Sequence, residues 1–306
     1  MTAPGIPNEL VLSTTCFGSR LEAIEDQAFA AVAMGFRRIE LGLTDTPPRL
    51  NGFEDTRRET GVGVAAVVAG CLKPKGERMA STLLASSKDE EREQATLSVR
   101  RHIQLAQRLG APIVVVRCGS ITDPKMHGEA DELRRKCSRT AASEELTEEL
   151  RSYVQKVTRK GQRQVEHLCR SLHALLSEFP ATRIALEPAR QLEDVLTFEA
   201  MGWVLDDLKE PGLGYWHDAG HVHQHGEMGL SGQGDWLDAF AGRMLGVHLH
   251  DVGETESELP PGRGEVDFRM VAEYTPRSAA RVIHVNPRHG RSEILDSVQF
   301  LTALGL

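Results

Sequence analysis

Short runs of β-branched and other apolar residues alternate with longer stretches of helical periodicity along the whole chain. A short apolar run indicates a buried strand, whereas apolar positions spaced by three and four residues indicate a helix with one buried face. The pattern predicts eight strands, at residues 10–16, 37–42, 62–69, 113–117, 183–186, 215–218, 245–249 and 281–285.

Helical stretches follow these strands. They are predicted at residues 21–34, 56–60, 89–109, 144–176, 198–208, 235–240 and 293–304. Gly35 and Gly110 mark helix ends, because glycine readily adopts the left-handed conformation that closes a helix. Ser87 with Glu90 three residues later fits a capping box at the start of the 89–109 helix. Gly161 is a position where the 144–176 helix could break.

Strands that alternate with helices, with no Pro/Gly/Ser-rich linker between them, predict an α/β fold. Eight such units predict one (β/α)8 TIM barrel, a single domain over residues 1–306. At about 150 residues per domain the 306 residues would suggest two domains, but such barrels run past 250 as one. The alternative is an open doubly wound sheet, which usually carries a glycine-rich turn after an early strand. The sequence has no such turn.

The largest interruption of the alternation covers residues 119–143, which are polar and charged and show no clear periodic element. The segment follows the fourth strand, at the end of the barrel where functional loops lie. We therefore expect it to form a lid or a contact in a homo-oligomer.

Composition and charge narrow the class of protein. The net charge of −8 argues against non-specific binding to nucleic acid, which needs clustered Lys and Arg. Five scattered cysteines without a CxxC pair indicate reduced thiols. The longest apolar stretch is too short to span a membrane, and the first residues lack the features of a signal peptide. We expect a cytoplasmic protein with no membrane partner.

Histidines are distributed unevenly. Of the 12 histidines, eight fall between residues 217 and 289. In a barrel the chemistry lies at the carboxyl ends of the strands. Those ends carry Glu187 after strand five, Asp218 after strand six and His248 on strand seven. Two carboxylates and an imidazole suit a divalent cation, and the mixed oxygen and nitrogen donors favour Mn²⁺, Zn²⁺, Co²⁺ or Fe²⁺ over Mg²⁺.

Other residues near the strand ends are candidates for substrate binding. His250 shares a strand face with His248, because residues two apart point the same way. His221 follows Asp218 by three residues, and Arg117 and Arg190 follow strands four and five. His217 alternates with Asp218 and should face the helices, whereas His223 and His225 are predicted in a polar loop. Asp251 is either an acceptor for a ligand imidazole or a turn residue.

Four motifs in order resemble the xylose isomerase-like TIM-barrel superfamily, the group of sugar phosphate isomerases and epimerases and of the family 2 AP endonucleases. They are Glu-Pro at 187–188, Asp-Ala-Gly-His at 218–221, His-Leu-His-Asp at 248–251 and Pro-Pro-Gly-Arg-Gly at 260–264. The similarity extends over essentially the whole chain, including Gly-Phe-Arg-Arg-Ile-Glu-Leu at 35–41 and Arg-Leu-Gly-Ala at 108–111.

The resemblance implies a metal held by Glu187, Asp218, His248 and one residue ending strand eight. The family usually has a Glu there, whereas this chain has His284, with Asn286 two residues on. The multi-zinc endonucleases carry further histidines after strands three and four. Here those regions are Gly-Cys and Arg-Cys, at 70–71 and 117–118, which argues against a trinuclear DNA-repair site.

The expected activity is that of a metal-dependent isomerase or epimerase of a small sugar or polyol, acting through an enediolate. Glu187 is the candidate base, and His284 would return or shuttle the proton. Two alternatives stay open. A dehydratase or lyase could use the same enediolate to expel a hydroxyl group, because an imidazolium can protonate a departing oxygen. A barrel that binds a ligand without turnover would also fit the missing Glu.

Overall fold

The computed structural model describes residues 5–43, 50–72, 78–79, 82–139, 143–254 and 256–306. Within these residues eight parallel strands close into a barrel, and the last strand pairs with the first. The strands are Leu10–Ser13 (β1), Arg38–Leu41 (β2), Gly63–Ala69 (β3), Ile113–Val116 (β4), Arg183–Leu186 (β5), Leu213–Asp218 (β6), Met244–Leu249 (β7) and Ala280–Ile283 (β8). The predicted (β/α)8 barrel is confirmed.

Helices lie between the strands of the described chain. They are Ile24–Met34 (α1), Phe53–Thr60 (α2), Asp89–Leu109 (α3), Pro124–Arg139 (α4), Glu144–Glu178 (α5), Phe198–Asp207 (α6), Ala219–Glu227 (α7), Gln233–Phe240 (α8), Phe268–Tyr274 (α9) and Arg291–Ala303 (α10). Short 3₁₀ segments at Thr14–Arg20 and Ala241–Arg243 and a small pair of strands, Cys71–Leu72 and Arg78–Met79, complete the described elements.

The core has two layers, because successive side chains of a strand point to opposite faces of the sheet. Ile113 and Val115 of β4 belong to the inner layer, inside the barrel, whereas Val114 and Val116 pack against the helices. Trp216 of β6 is the largest side chain of the inner layer and contacts the His248 ring edge-on, with ring centroids 5.1 Å apart. A Cβ at Gly246 would lie 2.2 Å from this indole, so the glycine makes room for it.

The prediction that residues 119–143 hold no regular element is wrong, because α4 occupies most of that segment. Residues 140–142 lie outside the described residues. The buried face of α4 consists of Met126, Ala130 and Leu133, a stripe at helical spacing that its many charges hide. α4 packs on α5, where Tyr153 donates a hydrogen bond to the carbonyl of Met126. A lid or an oligomer contact stays a prediction for this segment.

Three further local predictions are wrong. α5 continues through Gly161, because its long apolar stripe packs on the barrel and outweighs the cost of about 1 kcal/mol for a helical glycine. The predicted capping box at Ser87 does not form, since the helix begins after Lys88 and the Ser87 hydroxyl bonds to Thr122. His223 and His225 lie in α7 and not in a loop. Among the described helices, none combines the length and the apolarity needed to cross a membrane.

Candidate metal centre

Glu187, Asp218 and His248 meet at the carboxyl end of three neighbouring strands. Glu187 directly follows β5, Asp218 ends β6 and His248 lies near the end of β7. The three side chains are almost completely buried. One ligand atom from each lies within 4.8 Å of the others, so the strand-end reading of the sequence brings the right residues together.

Several polar atoms of this trio lack the partners that burial normally requires. Among the described residues, Glu187 Oε1 and His248 Nδ1 have no hydrogen-bond partner. His248 Nδ1 lies 3.6 Å from Asp218 Oδ2 and 4.0 Å from Glu187 Oε2, beyond hydrogen-bond distance. These atoms are therefore free to ligate a cation, and carboxylate oxygen with imidazole nitrogen is a donor set that divalent metals accept.

Asp218 is held by the helix that follows it. As the N-cap of α7, its Oδ1 accepts hydrogen bonds from the backbone N–H of His221 at 2.9 Å, from His221 Nδ1 at 2.7 Å and from His250 Nε2 at 2.9 Å. Burial acts to raise the pKa of Asp218, but His221 and His250 hold it well below its usual value. The carboxylate is therefore ionised, and Oδ2 is left facing the trio.

Gly220 makes the bond between Asp218 and His250 possible. A Cβ at position 220 would lie 2.0 Å from Cε1 of the His250 ring. The glycine in Asp-Ala-Gly-His is thus required by close packing of the imidazole, and its φ is not in the left-handed region.

The orientation of His248 depends on a residue that the sequence analysis did not select. Glu40 of β2 is fully buried; its Oε2 lies 2.9 Å from His248 Nε2, and its Oε1 accepts a hydrogen bond from Ser13 at 2.8 Å. Burial acts to lower the pKa of His248, but Glu40 and Asp218 raise it to about 10. An acidic residue between Ile39 and Leu41 on an apolar strand was the available signal.

Glu40 and His248 form the carboxylate–histidine arrangement that commonly supports a metal ligand. Nε2 donates to the carboxylate, which leaves Nδ1 toward Asp218 and Glu187. The raised pKa of His248 shows that the surrounding carboxylates stabilise positive charge at this point, and a divalent cation would be favoured by the same field.

His284 lies beside the trio and not within it. Its ring centroid is 4.8 Å from that of His248, and it groups with Glu40 and His248 as potential ligands. Burial lowers the pKa of His284, and its Nδ1 has no partner in the described part of the chain. Its Nε2 lies 3.7 Å from Oε1 of Glu258, a second carboxylate that the sequence analysis missed.

Asn286, the other candidate at the end of β8, is used in a turn. Its side-chain oxygen accepts a hydrogen bond from the backbone N–H of Arg288, and its own N–H donates to the carbonyl of Glu258 at 2.8 Å. It belongs to none of the potential metal groups of the described residues.

The two strand-end arginines are both engaged inside the site. Arg117 Nε donates to Glu187 Oε2 at 2.8 Å, which leaves Oε1 as the free oxygen of that carboxylate. Arg190 donates to His221 Nε2 at 2.7 Å. This fixes the tautomer of His221, with Nδ1–H toward Asp218, and burial lowers its pKa to about 4.

Asp251, the last residue of His-Leu-His-Asp, organises the following loop. Its two carboxylate oxygens accept hydrogen bonds from four backbone N–H groups, those of Val252, Gly262, Gly264 and Val266, at 2.9 to 3.0 Å. It is neither of the two things predicted for it. A Cβ at Gly264 would lie 2.6 Å from Asp251 Oδ1, so this close approach needs glycine.

Comparisons with known proteins agree with this architecture. Residues 28–274 match the sequence model of the xylose isomerase-like TIM barrel family. No curated protein sequence matches the chain at a significant level. Among solved structures, the chain is similar to a D-tagatose 3-epimerase-like protein, with 16% identity, 96% of each chain covered and a TM-score of 0.64.

Two other solved structures have the same fold. One is 3-keto-D-glucoside 4-epimerase YcjR from E. coli, at 15% identity and a TM-score of 0.65, over 97% of this chain and 100% of that one. The other is the IolI protein with a bound zinc atom, at 12% identity and a TM-score of 0.58, over 97% and 96%. At such identities the likeness establishes the fold alone. Together with the family match, it shows that the chain belongs to the xylose isomerase-like TIM barrel family.

Proposed function

We propose that this protein is a divalent-metal-dependent isomerase or epimerase of a small sugar or polyol. One observation carries the proposal. Glu187, Asp218 and His248 converge at the mouth of the barrel, and within the described residues Glu187 Oε1 and His248 Nδ1 have no hydrogen-bond partner. Several structural neighbours are sugar epimerases, which supports this class of reaction.

Glu187, Asp218 and His248 are the residues that would hold the metal, and Mn²⁺, Zn²⁺, Co²⁺ and Mg²⁺ are the candidates. A bound divalent cation would polarise a substrate carbonyl and so lower the pKa of the neighbouring C–H. The predicted fourth ligand, His284, contacts His248 on its own side of the ring and is assigned to the substrate.

Glu187 would act as the base. Arg117 holds Oε2 and fixes the carboxylate plane, so Oε1 faces the substrate side of the site without a competing donor. A positioned base of this kind contributes about 10² to 10⁴-fold to the rate. His284 would return the proton, since its imidazole is held largely neutral by burial and can both accept and donate.

His221, His250, Arg190 and Arg117 line the space around the trio and would orient substrate oxygens. The tautomer of His221 is fixed by Asp218 and Arg190, so its ring is rigid rather than adaptable. Asn286 would contribute through the turn that it closes and not through direct contact, because its side-chain oxygen is already bonded.

The substitution Glu187→Gln tests this proposal. We expect loss of at least 10²-fold in the exchange of the substrate C–H for solvent deuterium, measured by NMR with ketoses and aldoses. Glu193→Gln is the matched control, because Glu193 is a buried carboxylate of the same loop that pairs with Arg134 outside the site. Metal content of each protein is measured in parallel. A Glu187→Gln protein with metal and exchange both intact would contradict the proposal.

A lyase or dehydratase is the second candidate. It is favoured by His284, which stands beside Glu258 where the family usually has a Glu and could protonate a departing hydroxyl. Product mass separates the two reactions, because isomerisation conserves the mass of the sugar and dehydration removes one water. A protein with neither metal nor exchange would instead favour a barrel that binds a ligand without turnover.

A further inference from the structure

Glu258 occupies an unusual position at the mouth of the barrel. It lies in the loop after β7 and has a φ of +56°, a left-handed conformation that is uncommon for a residue with a side chain. Neighbouring contacts hold it there. Asn286 N–H donates to the Glu258 carbonyl at 2.8 Å, and Leu259 forms a reciprocal pair of backbone hydrogen bonds with Asp251. Strained residues held in this way cluster at functional sites.

The strained backbone brings the Glu258 carboxylate between two other polar groups. Oε1 lies 3.5 Å from Nη2 of Arg190 and 3.7 Å from Nε2 of His284. Charge-assisted hydrogen bonds between such groups are about 2.7 to 2.9 Å long. Both separations are therefore too long for a direct bond and suit an oxygen atom that bridges the groups.

The chemistry of the three groups selects what that oxygen belongs to. The Glu258 carboxylate only accepts hydrogen bonds, whereas the Arg190 guanidinium only donates them. A phosphate or carboxylate would be repelled by Glu258, and a metal cation by Arg190. A hydroxyl group both donates and accepts, so it satisfies the two sides at once.

We infer that Glu258, with Arg190 and His284, forms a binding site for one hydroxyl group of a polyol substrate, which we name the hydroxyl site. It rests on the proposed function only in the chemical class of the ligand. The site couples the loop after β7 to the end of β8 and to the loop after β5. It makes a loop residue, rather than a strand end, the determinant of which substrate hydroxyl is recognised.

Binding of the sugar alcohol xylitol tests the hydroxyl site. Xylitol has no carbonyl and cannot be isomerised, so the result does not depend on turnover. Calorimetry on the purified, metal-loaded protein should show that Glu258→Ala weakens binding at least ten-fold, and that Glu258→Gln weakens it less. Glu256→Ala is the matched control, because Glu256 is half-exposed on the same loop and pairs with Arg288. Its affinity should equal that of the unchanged protein.

Monodeoxy analogues of xylitol distinguish direct contact from a loosened loop. One analogue should bind the unchanged protein at least ten-fold more weakly than xylitol, yet bind Glu258→Ala as well as xylitol does. Equal affinity of Glu258→Ala and the unchanged protein would overturn the inference, and so would an unchanged protein that does not bind xylitol. Absence of sugar isomerisation in the presence of Glu258-dependent xylitol binding would instead overturn only the proposed function.

Discussion

Two histidines on neighbouring strands, His217 of β6 and His248 of β7, are equally buried and electrostatically opposite. His217 points away from the barrel axis, where its Nδ1 is hydrogen-bonded to the Tyr215 hydroxyl at 2.7 Å. Burial lowers its pKa to about 4. His248 points into the mouth of the barrel, beside Glu40, Asp218 and Glu187, and its pKa is raised to about 10.

The difference teaches that burial alone does not make a functional histidine. On the helix side of the sheet the imidazole is an uncharged packing element between aromatic rings. On the inner side, carboxylates from three strands surround it and make positive charge favourable. The alternation of a strand is sufficient to separate the two environments, and it was the basis for predicting that His217 faces the helices.

Substituting each histidine by glutamine should give the largest contrast. His248→Gln removes a proposed ligand and the partner of Glu40, so we expect loss of bound metal and a fall in activity of at least about 10³-fold. His217→Gln should retain both. Elemental analysis by mass spectrometry measures the metal. Equal metal content in the two variants would remove the distinction that we draw between the two sides of the sheet.

Glu40→Gln should have the next largest effect. Nε2 of His248 would lose its charged acceptor, and removal of such a supporting carboxylate typically costs 10- to 100-fold in metal affinity. Competition with a chelator of known affinity measures the change. Ser13→Ala is the control, because it removes only the hydroxyl bonded to Glu40 and leaves the pair with His248 in place. A larger loss with Ser13→Ala than with Glu40→Gln would contradict the supporting role of Glu40.

The pH dependence of stability should show the smaller effect, on the helix side. The folded-state pKa of His217 is about 4, against an ordinary value of 6.5, so the unfolded chain takes up a proton first as the pH falls. The stability is present above pH 6.5 and is lost as the pH falls toward 4. Between pH 6 and 5 this group alone contributes a slope of about 1.4 kcal/mol per pH unit in the free energy of unfolding.

Urea unfolding of the unchanged protein and of His217→Gln over this pH range measures that slope. The variant should lose stability at pH 7, because the bond to Tyr215 is changed, but its profile should be flatter by about one proton. Parallel profiles would mean that His217 is protonated in the folded protein.

The sequence predicted the barrel well because the alternation of elements is a local signal. All eight strands overlap their predicted positions, and α3 has the predicted bounds. α4 was missed because charged residues outnumber its three buried apolar ones. Its helical spacing was present but weak, and packing on α5 decides the structure.

The candidate site was predictable in part for a similar reason. Glu187, Asp218 and His248 are marked by their places at strand ends, and the barrel brings those ends together. Glu40 lies on a distant strand and meets His248 across the barrel mouth, so its role depends on closure of the whole sheet. Glu258 has no periodic signal, since its position is set by the conformation of one loop residue.

The Asp251 carboxylate gives that loop an all-or-none character. Its four backbone bonds fix Val252 at one end of the loop and Gly262, Gly264 and Val266 at the other. Separate bonds would let the loop fray one residue at a time, but bonds to a single anion are lost together when that anion moves. Since Asp251 directly follows His250, the entry of a substrate past Glu258 and the geometry around His250 are mechanically linked. The gate and the floor of the barrel mouth share one hinge.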